Sequence, residues 1–426
     1  MAIPTAPSDT VPHRRSRLRT AGLVVLIVMG LLAVGVAIRS LATRTEARDR
    51  QAGLQPFYDP PTPLPSTPGT LIRSEPLGAP WTSIRAAAAL RILYVTELPD
   101  GTPAASSGMV FIPSGPVPAG GRPVVAWAHP TVGFGVSCVP SRAEGQYAIE
   151  GWLQEMLDDG WVVVATDYVA MGTPGTPLYL VGASEARDVV NSVRAARQVA
   201  GADAGTRWGV WGHSQGGHAA LWTGALAASL APELQLVGVA AAAPAAELGP
   251  LITQQWSNVV SWVIGPPVAV SWPIVHPGVT LEGVVTRAGI SNYERLAYEC
   301  IKPAAMEGLV RSEFKETFFA IDPMTDPAWT AAATAETPPA LPRELPLFLA
   351  QGTADPVVLP NTTSLLQERF CEAGSLVTMS WLGGVGHMKA GEVAGPGAVA
   401  FLWARFAGEP ATTTCGEPPA VLPYGG

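Results

Sequence analysis

The chain has 426 residues, 48% of them hydrophobic and only 14% charged, with a formal net charge of −8 at pH 7. This length and apolar content allow one large core with room for an inserted subdomain. The acidic balance argues against a nucleic-acid partner, which needs a basic face. Forty-two prolines and 45 glycines are spread along the chain and announce many turns rather than low complexity. Four cysteines without a C-x-x-C pair disfavour a zinc ribbon or thioredoxin-like site, and they are compatible with two disulfides outside the cytoplasm.

Residues 1–20 form a basic tail ending in His13-Arg14-Arg15-Ser16-Arg17-Leu18-Arg19, and an uncharged apolar stretch follows from Ala21 to Ile38. Eighteen helical residues span about 27 Å, close to the hydrocarbon thickness of a bilayer. The stretch reads as an uncleaved signal anchor with the arginines cytoplasmic and the remainder outside. A cleavage site at Ser40-Leu41-Ala42, which would release a secreted protein, is the alternative. Residues 39–70, with Pro60-Pro61-Thr62-Pro63-Leu64-Pro65, read as a stiff tether. The folded domain is then expected over residues 71–426.

Strand and helix signals alternate through that domain. Leu90 to Leu98 and Ser107 to Pro113 read as early strands around the turn Pro99-Asp100-Gly101. Pro123 to Ala128 is a buried strand opening into the Gly-rich loop His129-Pro130-Thr131-Val132-Gly133. Ala148 to Leu157 has helical spacing, Trp161 to Thr166 is a central strand, and Ala183 to Val199 is a helix. Further strands are expected at Leu234 to Ala240, Leu345 to Ala350 and Leu376 to Trp381, with helices at Leu365 to Cys371 and Ala398 to Phe406. Such alternation predicts an α/β fold with a mostly parallel sheet covered on both faces. Residues from about 247 to 340 break the rhythm. They read as an inserted helical segment, either a lid over an apolar site or an ordinary surface subdomain.

Trp208-Gly-Val-Trp-Gly-His-Ser-Gln-Gly-Gly-His218 carries the main chemical signal. Gly212-His213-Ser214-Gln215-Gly216 fits G-x-S-x-G, the sharp strand-to-helix turn that exposes a serine. The bend leaves no room for a Cβ two residues before or after that serine, and glycine stands at both positions. A serine hydroxyl attacks only when a base takes its proton and a third group orients the base. Beyond the helix of Ser214 the remaining histidines are His276, between the Pro-containing turns Trp272-Pro273 and His276-Pro277 of the insertion, and His387, in the Gly-rich stretch after the last strand. His387 is the expected base. Asp355, just past the strand Leu345 to Ala350, is the expected acid; Asp322 and Asp326 satisfy the chain order but lie in the insertion.

The oxyanion requires two donors. The Gln215 N–H is one by geometry. Pro130 has no N–H, so Thr131 is expected to supply the other, with Val132 as the neighbouring register. His213, His218 and His129 read as packing or bracing residues, and Asp167-Tyr168 as a loop anchor. With no Walker loop, dinucleotide fingerprint or H-E-x-x-H, the sequence implies no cofactor and no metal.

With these residues placed, the chain resembles the secretory lipase family of α/β-hydrolases, which includes fungal lipase A-type enzymes and related bacterial lipases. The resemblance runs from about Phe57 to Gly416, through Phe57-Tyr58-Asp59-Pro60-Pro61, Leu71 to Leu77, Cys138-Val139-Pro140-Ser141, Asp167-Tyr168, Tyr179-Leu180 and Gly212 to Gly217. It maps Ser214, Asp355 and His387 onto the triad and the insertion onto the lid. Pro130 departs from the glycine that many bacterial relatives carry after the oxyanion-loop histidine. The resemblance implies the disulfides Cys138 with Cys300 and Cys371 with Cys415; spacing alone permits three connectivities. It also implies hydrolysis of lipid or other apolar acyl esters, acylglycerols foremost. Acyl transfer to an alcohol and a catalytically silent binding protein are the competing readings.

Overall fold

The computed structural model describes residues 46, 48–78, 81, 84–143 and 150–425. The expected tail (1–20) and anchor (21–38) lie outside the described residues, and among the described residues no helix is long and apolar enough to cross a membrane. The chain divides into two units, residues 1–55 and 56–426. In the first, residues 48–55 are helical. The second begins earlier than the tether reading over 39–70 allowed. Phe57 and Tyr58 are buried within it, the Tyr58 hydroxyl lies 2.8 Å from Ser141 Oγ, and Arg142 stacks 4.1 Å over the Tyr58 ring. Two aromatic side chains next to a proline run gain more from burial than the run loses by folding back onto the domain.

The sheet strands are β1 (Leu71–Pro76), β2 (Ala88–Glu97), β3 (Pro103–Ile112), β4 (Arg122–Ala128), β5 (Val162–Val169), β6 (Ala204–His213), β7 (Gln235–Ala242), β8 (Leu347–Gly352) and β9 (Val377–Leu382). They form one nine-stranded sheet in the order β1-β2-β3-β5-β4-β6-β7-β8-β9. The pairings through β3 and β5 are antiparallel, and from β5 to β9 every neighbour is parallel. All eight residues of β5 are buried, as a parallel strand covered on both faces requires. β1 was not expected. It is a half-exposed edge strand with a register shift against β2, and such strands carry little hydrophobic patterning.

Helices α1 (Glu150–Asp158), α2 (Gly182–Ala196) and α3 (Gln215–Leu230) follow β4, β5 and β6. Between β7 and β8 the chain is helical: α4 (Leu248–Gln255), α5 (Val259–Val275), α6 (Arg287–Ile290), α7 (Tyr293–Ala297), α8 (Ile301–Glu313) and α9 (Pro327–Ala335). α10 (Pro360–Glu372) and α11 (His387–Ala407) complete the chain. One apolar layer packs α2, α3 and α10 on a face of the sheet. A second packs α1 and α11 on the other. A third lies within the insertion around Trp262, Trp272, Phe318 and Trp329.

Two helices differ from expectation. α5 runs through Pro266, Pro267 and Pro273, where Trp272-Pro273 had read as a turn. This helix is apolar all round because packing surrounds it, and burial of Trp262 and Trp272 outweighs the missing N–H groups. α11 begins at His387 rather than near Ala398. Its glycines are contact points: a Cβ on Gly391 would meet the His213 ring at 3.0 Å, and one on Gly395 would meet Trp152 at 2.6 Å.

Asp188 is buried in α2, where it accepts from Thr96 Oγ1 at 2.7 Å and the Val169 N–H at 2.9 Å. Burial pushes its pKa up to about 7. A folded-state pKa above the unfolded value means that stability present below about pH 4 is lost as pH rises through 7. The shift corresponds to roughly 4 kcal/mol at full development. Asn at this position copies the protonated acid, with one acceptor for Val169 and one donor for Thr96. Asp188→Asn is therefore expected to raise Tm at pH 8 and to flatten its decline between pH 5 and pH 8. An unchanged Tm-versus-pH curve would contradict the assignment.

Candidate active site

β6 delivers its last residue, His213, into a bend where Ser214 takes φ 60° and ψ −119°. This is a sparsely populated conformation for a residue with a Cβ and costs about 1–3 kcal/mol. The glycines show why it is tolerated. A Cβ on Gly212 would lie 1.9 Å from the Gly216 carbonyl oxygen, and one on Gly216 would lie 1.8 Å from that of Ala128. The second contact also places the first turn of α3 against the end of β4, so the 129–132 loop stands beside the serine.

The structure brings Ser214, Asp355 and His387 together. His387 Nε2 is 2.9 Å from Ser214 Oγ, and His387 Nδ1 is 2.8 Å from Asp355 Oδ2. All three residues are buried, and each follows the C-terminal end of a parallel strand (β6, β8 and β9). The carboxylate at Oδ2 accepts the Nδ1 proton, which leaves Nε2 free to accept from the serine. Asp355 is itself fixed. Its Oδ1 accepts from the Val357 and Val358 N–H groups at 2.8 and 3.0 Å, and Gln351 Nε2 approaches Oδ2 at 3.3 Å. Asp322 and Asp326, the rivals by chain order, cap short helices in the insertion instead.

At the expected oxyanion site, Gln215 begins α3 and the Ser214 N–H is spent on the Ala242 carbonyl at 3.0 Å. Thr131 is half-buried, and its hydroxyl pairs with the Tyr179 hydroxyl at 2.7 Å. Val132 faces the core, and its carbonyl accepts from the Ile301 N–H. The loop is braced from behind. His129 reaches the Pro130 and Asp167 carbonyls, with its pKa pushed down by burial. Asp167 accepts from Ser107 Oγ at 2.6 Å, from the Ser141 N–H at 3.0 Å and from the Ser141 hydroxyl. Tyr168 donates to the His129 carbonyl at 3.1 Å. Just beyond, Cys138 is bonded to Cys300 at the start of α8, and Cys371 to Cys415, the pairs implied by the resemblance.

Ser214 lies in the wall of a narrow cavity of about 90 Å3. Apart from Ser214 its lining is almost wholly apolar and comes largely from the insertion, with Leu248 and Ile252 of α4, Ile264, Val268 and Trp272 of α5, and Phe319. Among the described residues no group of three His, Cys, Asp or Glu side chains is placed to hold a metal ion.

Three side chains near the serine acquire contacts that sequence reading did not assign. His213 stacks on His387 with ring centroids 5.0 Å apart. Burial, followed by repulsion from His387, pushes its pKa down to about 3, so it stays neutral beside His387. Glu185 of α2 holds the Gln215 side chain. Gln255, at the end of α4, lines the cavity and donates to the Pro356 and Val357 carbonyls at 2.9 and 2.8 Å. It thereby ties the insertion to the turn that holds Asp355. No local sequence signal marks these residues. Gln255→Leu would leave two carbonyls without their donor, a loss of about 1–3 kcal/mol. It is expected to lower kcat about tenfold and Tm by a few degrees, as steady-state kinetics and thermal melts would show. Unchanged kcat would sink this coupling.

Residues 150–414 match the secretory lipase family. The chain is 24% identical over 379 residues to a probable inactive lipase of Mycobacterium tuberculosis, an alignment that covers 84% of this chain and 83% of that protein. It superposes on Candida antarctica lipase A in its closed state with a TM-score of 0.68 at 18% identity, over 86% of this chain and 88% of that one. It also superposes on the rice cell wall degrading esterase LipA from Xanthomonas oryzae in a ligand-bound form, with a TM-score of 0.64 at 21% identity, over 80% and 98%. These two structures share its fold. With the family matched over most of the domain and the α/β-hydrolase sheet beneath it, the chain belongs to the secretory lipase family of carboxylic ester hydrolases.

Proposed function

We propose that the protein hydrolyses apolar acyl esters, acylglycerols foremost, through an acyl-enzyme on Ser214. The observation that carries this reading is the hydrogen-bonded row Asp355–His387–Ser214 opening onto an apolar cavity. His387 Nε2 takes the hydroxyl proton as Oγ attacks the ester carbonyl, and Asp355 stabilises the imidazolium that forms. The backbone N–H groups of Gln215 and Thr131 hold the oxyanion, each worth about 3 kcal/mol in the barrier. His387 then gives the proton to the leaving alcohol. Water, activated by the same imidazole, attacks the acyl carbonyl and restores the serine. The acyl chain occupies the cavity beneath α4 and α5, so the insertion acts as the lid and selects chain length. The family description and the two disulfides support a site outside the cytoplasm. Residues 21–38 are its proposed membrane tether.

A silent hydrolase-fold protein is the second reading, favoured by the inactive relative. Both readings are tested by treating the purified protein with a fluorophosphonate probe and with p-nitrophenyl esters of increasing acyl length. The proposal expects labelling of Ser214 and an activity optimum set by cavity depth. Absence of labelling and turnover would establish the silent reading, and predominant transfer to a dilute competing alcohol would make the protein an acyltransferase.

A further inference from the structure

Behind the nucleophile bend lies a charged cluster that the reaction as described does not use. Glu185 and His218 are buried, with side chains 1% and 0% exposed. Glu185 Oε2 accepts from His218 Nδ1 at 2.6 Å, and Oε1 accepts from Gln215 Nε2 at 2.9 Å. On its other edge His218 Nε2 is 2.7 Å from the Glu336 carbonyl oxygen, and the Trp222 Nε1–H lies 3.1 Å from both Nε2 and that carbonyl oxygen. The Glu336 carboxylate is engaged elsewhere, by the Gly182 N–H and His276 Nε2, both at 2.8 Å.

Each ring nitrogen of His218 thus has an acceptor within 2.7 Å, the Glu185 carboxylate at Nδ1 and the Glu336 carbonyl at Nε2, and the doubly protonated imidazolium satisfies both while the Trp222 N–H turns to the same carbonyl. Burial alone would push its pKa down. The Glu185 carboxylate, with help from the Glu336 carbonyl, outweighs burial and holds the pKa above the ordinary histidine value. Glu185 and His218 form a compensated ion pair closed off from solvent. Glu185 holds the side chain of Gln215, the residue whose backbone N–H faces the developing oxyanion in the proposed reaction.

A buried carboxylate that holds the Gln215 side chain would oppose formation of an oxyanion at the Gln215 N–H unless a cation cancels its field. We propose that Glu185 and His218 are positioning residues that fix Gln215 at the oxyanion site, with His218 cancelling the carboxylate's charge so that the oxyanion can form. This rests on the ester-hydrolase reading of Ser214. The pair touches no substrate; it acts through Gln215.

A charge-rescue series on the full chain tests this, with p-nitrophenyl ester kinetics normalised to the fraction of Ser214 that a fluorophosphonate titrates. His218→Gln, which leaves Glu185 uncompensated, is expected to lower kcat at least 30-fold with KM within threefold of wild type. Glu185→Gln is expected to cost no more than tenfold. The double variant, neutral at both positions, is expected to recover to within tenfold of wild type. A double variant more than tenfold below wild type would overturn the proposal, because packing and hydrogen bonding would then suffice. If His218→Gln does not fold, the double variant compared with wild type decides by the same thresholds. Failure of the ester-hydrolase reading is distinguishable, since wild-type protein would then show neither labelling nor turnover.

Discussion

Ser214→Ala is expected to reduce kcat/KM for a p-nitrophenyl ester by at least about 10⁴-fold while leaving the fold intact. Removing the attacking oxygen of a triad leaves only what binding and the oxyanion donors supply, and in comparable systems the loss is on the order of 10⁴ to 10⁶. Folding should not suffer. Ser214 occupies a strained conformation, its backbone N–H and carbonyl bonds do not involve the side chain, and alanine removes one buried hydroxyl whose partner is His387. Alanine keeps the Cβ, so the strain remains and Tm should stay within a few degrees of wild type. Kinetics, a fluorophosphonate label and a thermal melt on the same preparation check all three statements. Retained hydrolysis in purified Ser214→Ala protein would remove Ser214 from the mechanism.

Asp355→Asn is expected to cost about 10³ to 10⁴ in kcat, for a reason visible in its hydrogen bonds. Two backbone N–H groups, from Val357 and Val358, point at Oδ1, so an asparagine must place its carbonyl oxygen there. Its NH2 then replaces Oδ2, facing both His387 Nδ1 and the Gln351 amide. An NH2 at that point cannot accept the Nδ1 proton. His387 is driven to the other tautomer, with the proton on Nε2, and cannot accept one from Ser214. A triad whose acid becomes an amide loses about 10⁴ in kcat by this route. The expected signature is a fall in kcat with little change in KM, together with slow fluorophosphonate labelling. Activity within tenfold of wild type would mean that another acid orients His387.

The nucleophile bend was legible in the chain because its demands are local. A positive φ at Ser214, and carbonyl oxygens that would lie only 1.8 to 1.9 Å from a Cβ at Gly212 or Gly216, translate directly into glycines at fixed offsets. Parallel strands were legible for a similar reason. Burial on both faces, as in β5, writes itself as an apolar run. Where a segment's character is set by what packs on it, local reading failed. The last helix read as starting near Ala398, but it begins at His387 because its glycines fit against His213 and Trp152. Trp272-Pro273 read as a turn but lies inside a helix held by the insertion's aromatic cluster. Phe57 and Tyr58 looked like tether and are core.

Chain order and residue type by themselves singled out Ser214, Asp355 and His387, since a strand-end serine leaves few acids and histidines downstream to choose from. Only the tertiary structure decided what surrounds them: neutral His213 against His387, Gln255 reaching from the insertion to the acid turn, and Glu185 with His218 behind Gln215. Glu185 and His218 lie 33 positions apart and Gln255 and Pro356 101. Their interactions exist because folding removes them from water together. In water each polar group is satisfied by solvent, and nothing in its neighbours along the chain marks it. Once buried, each must find its partner across the fold.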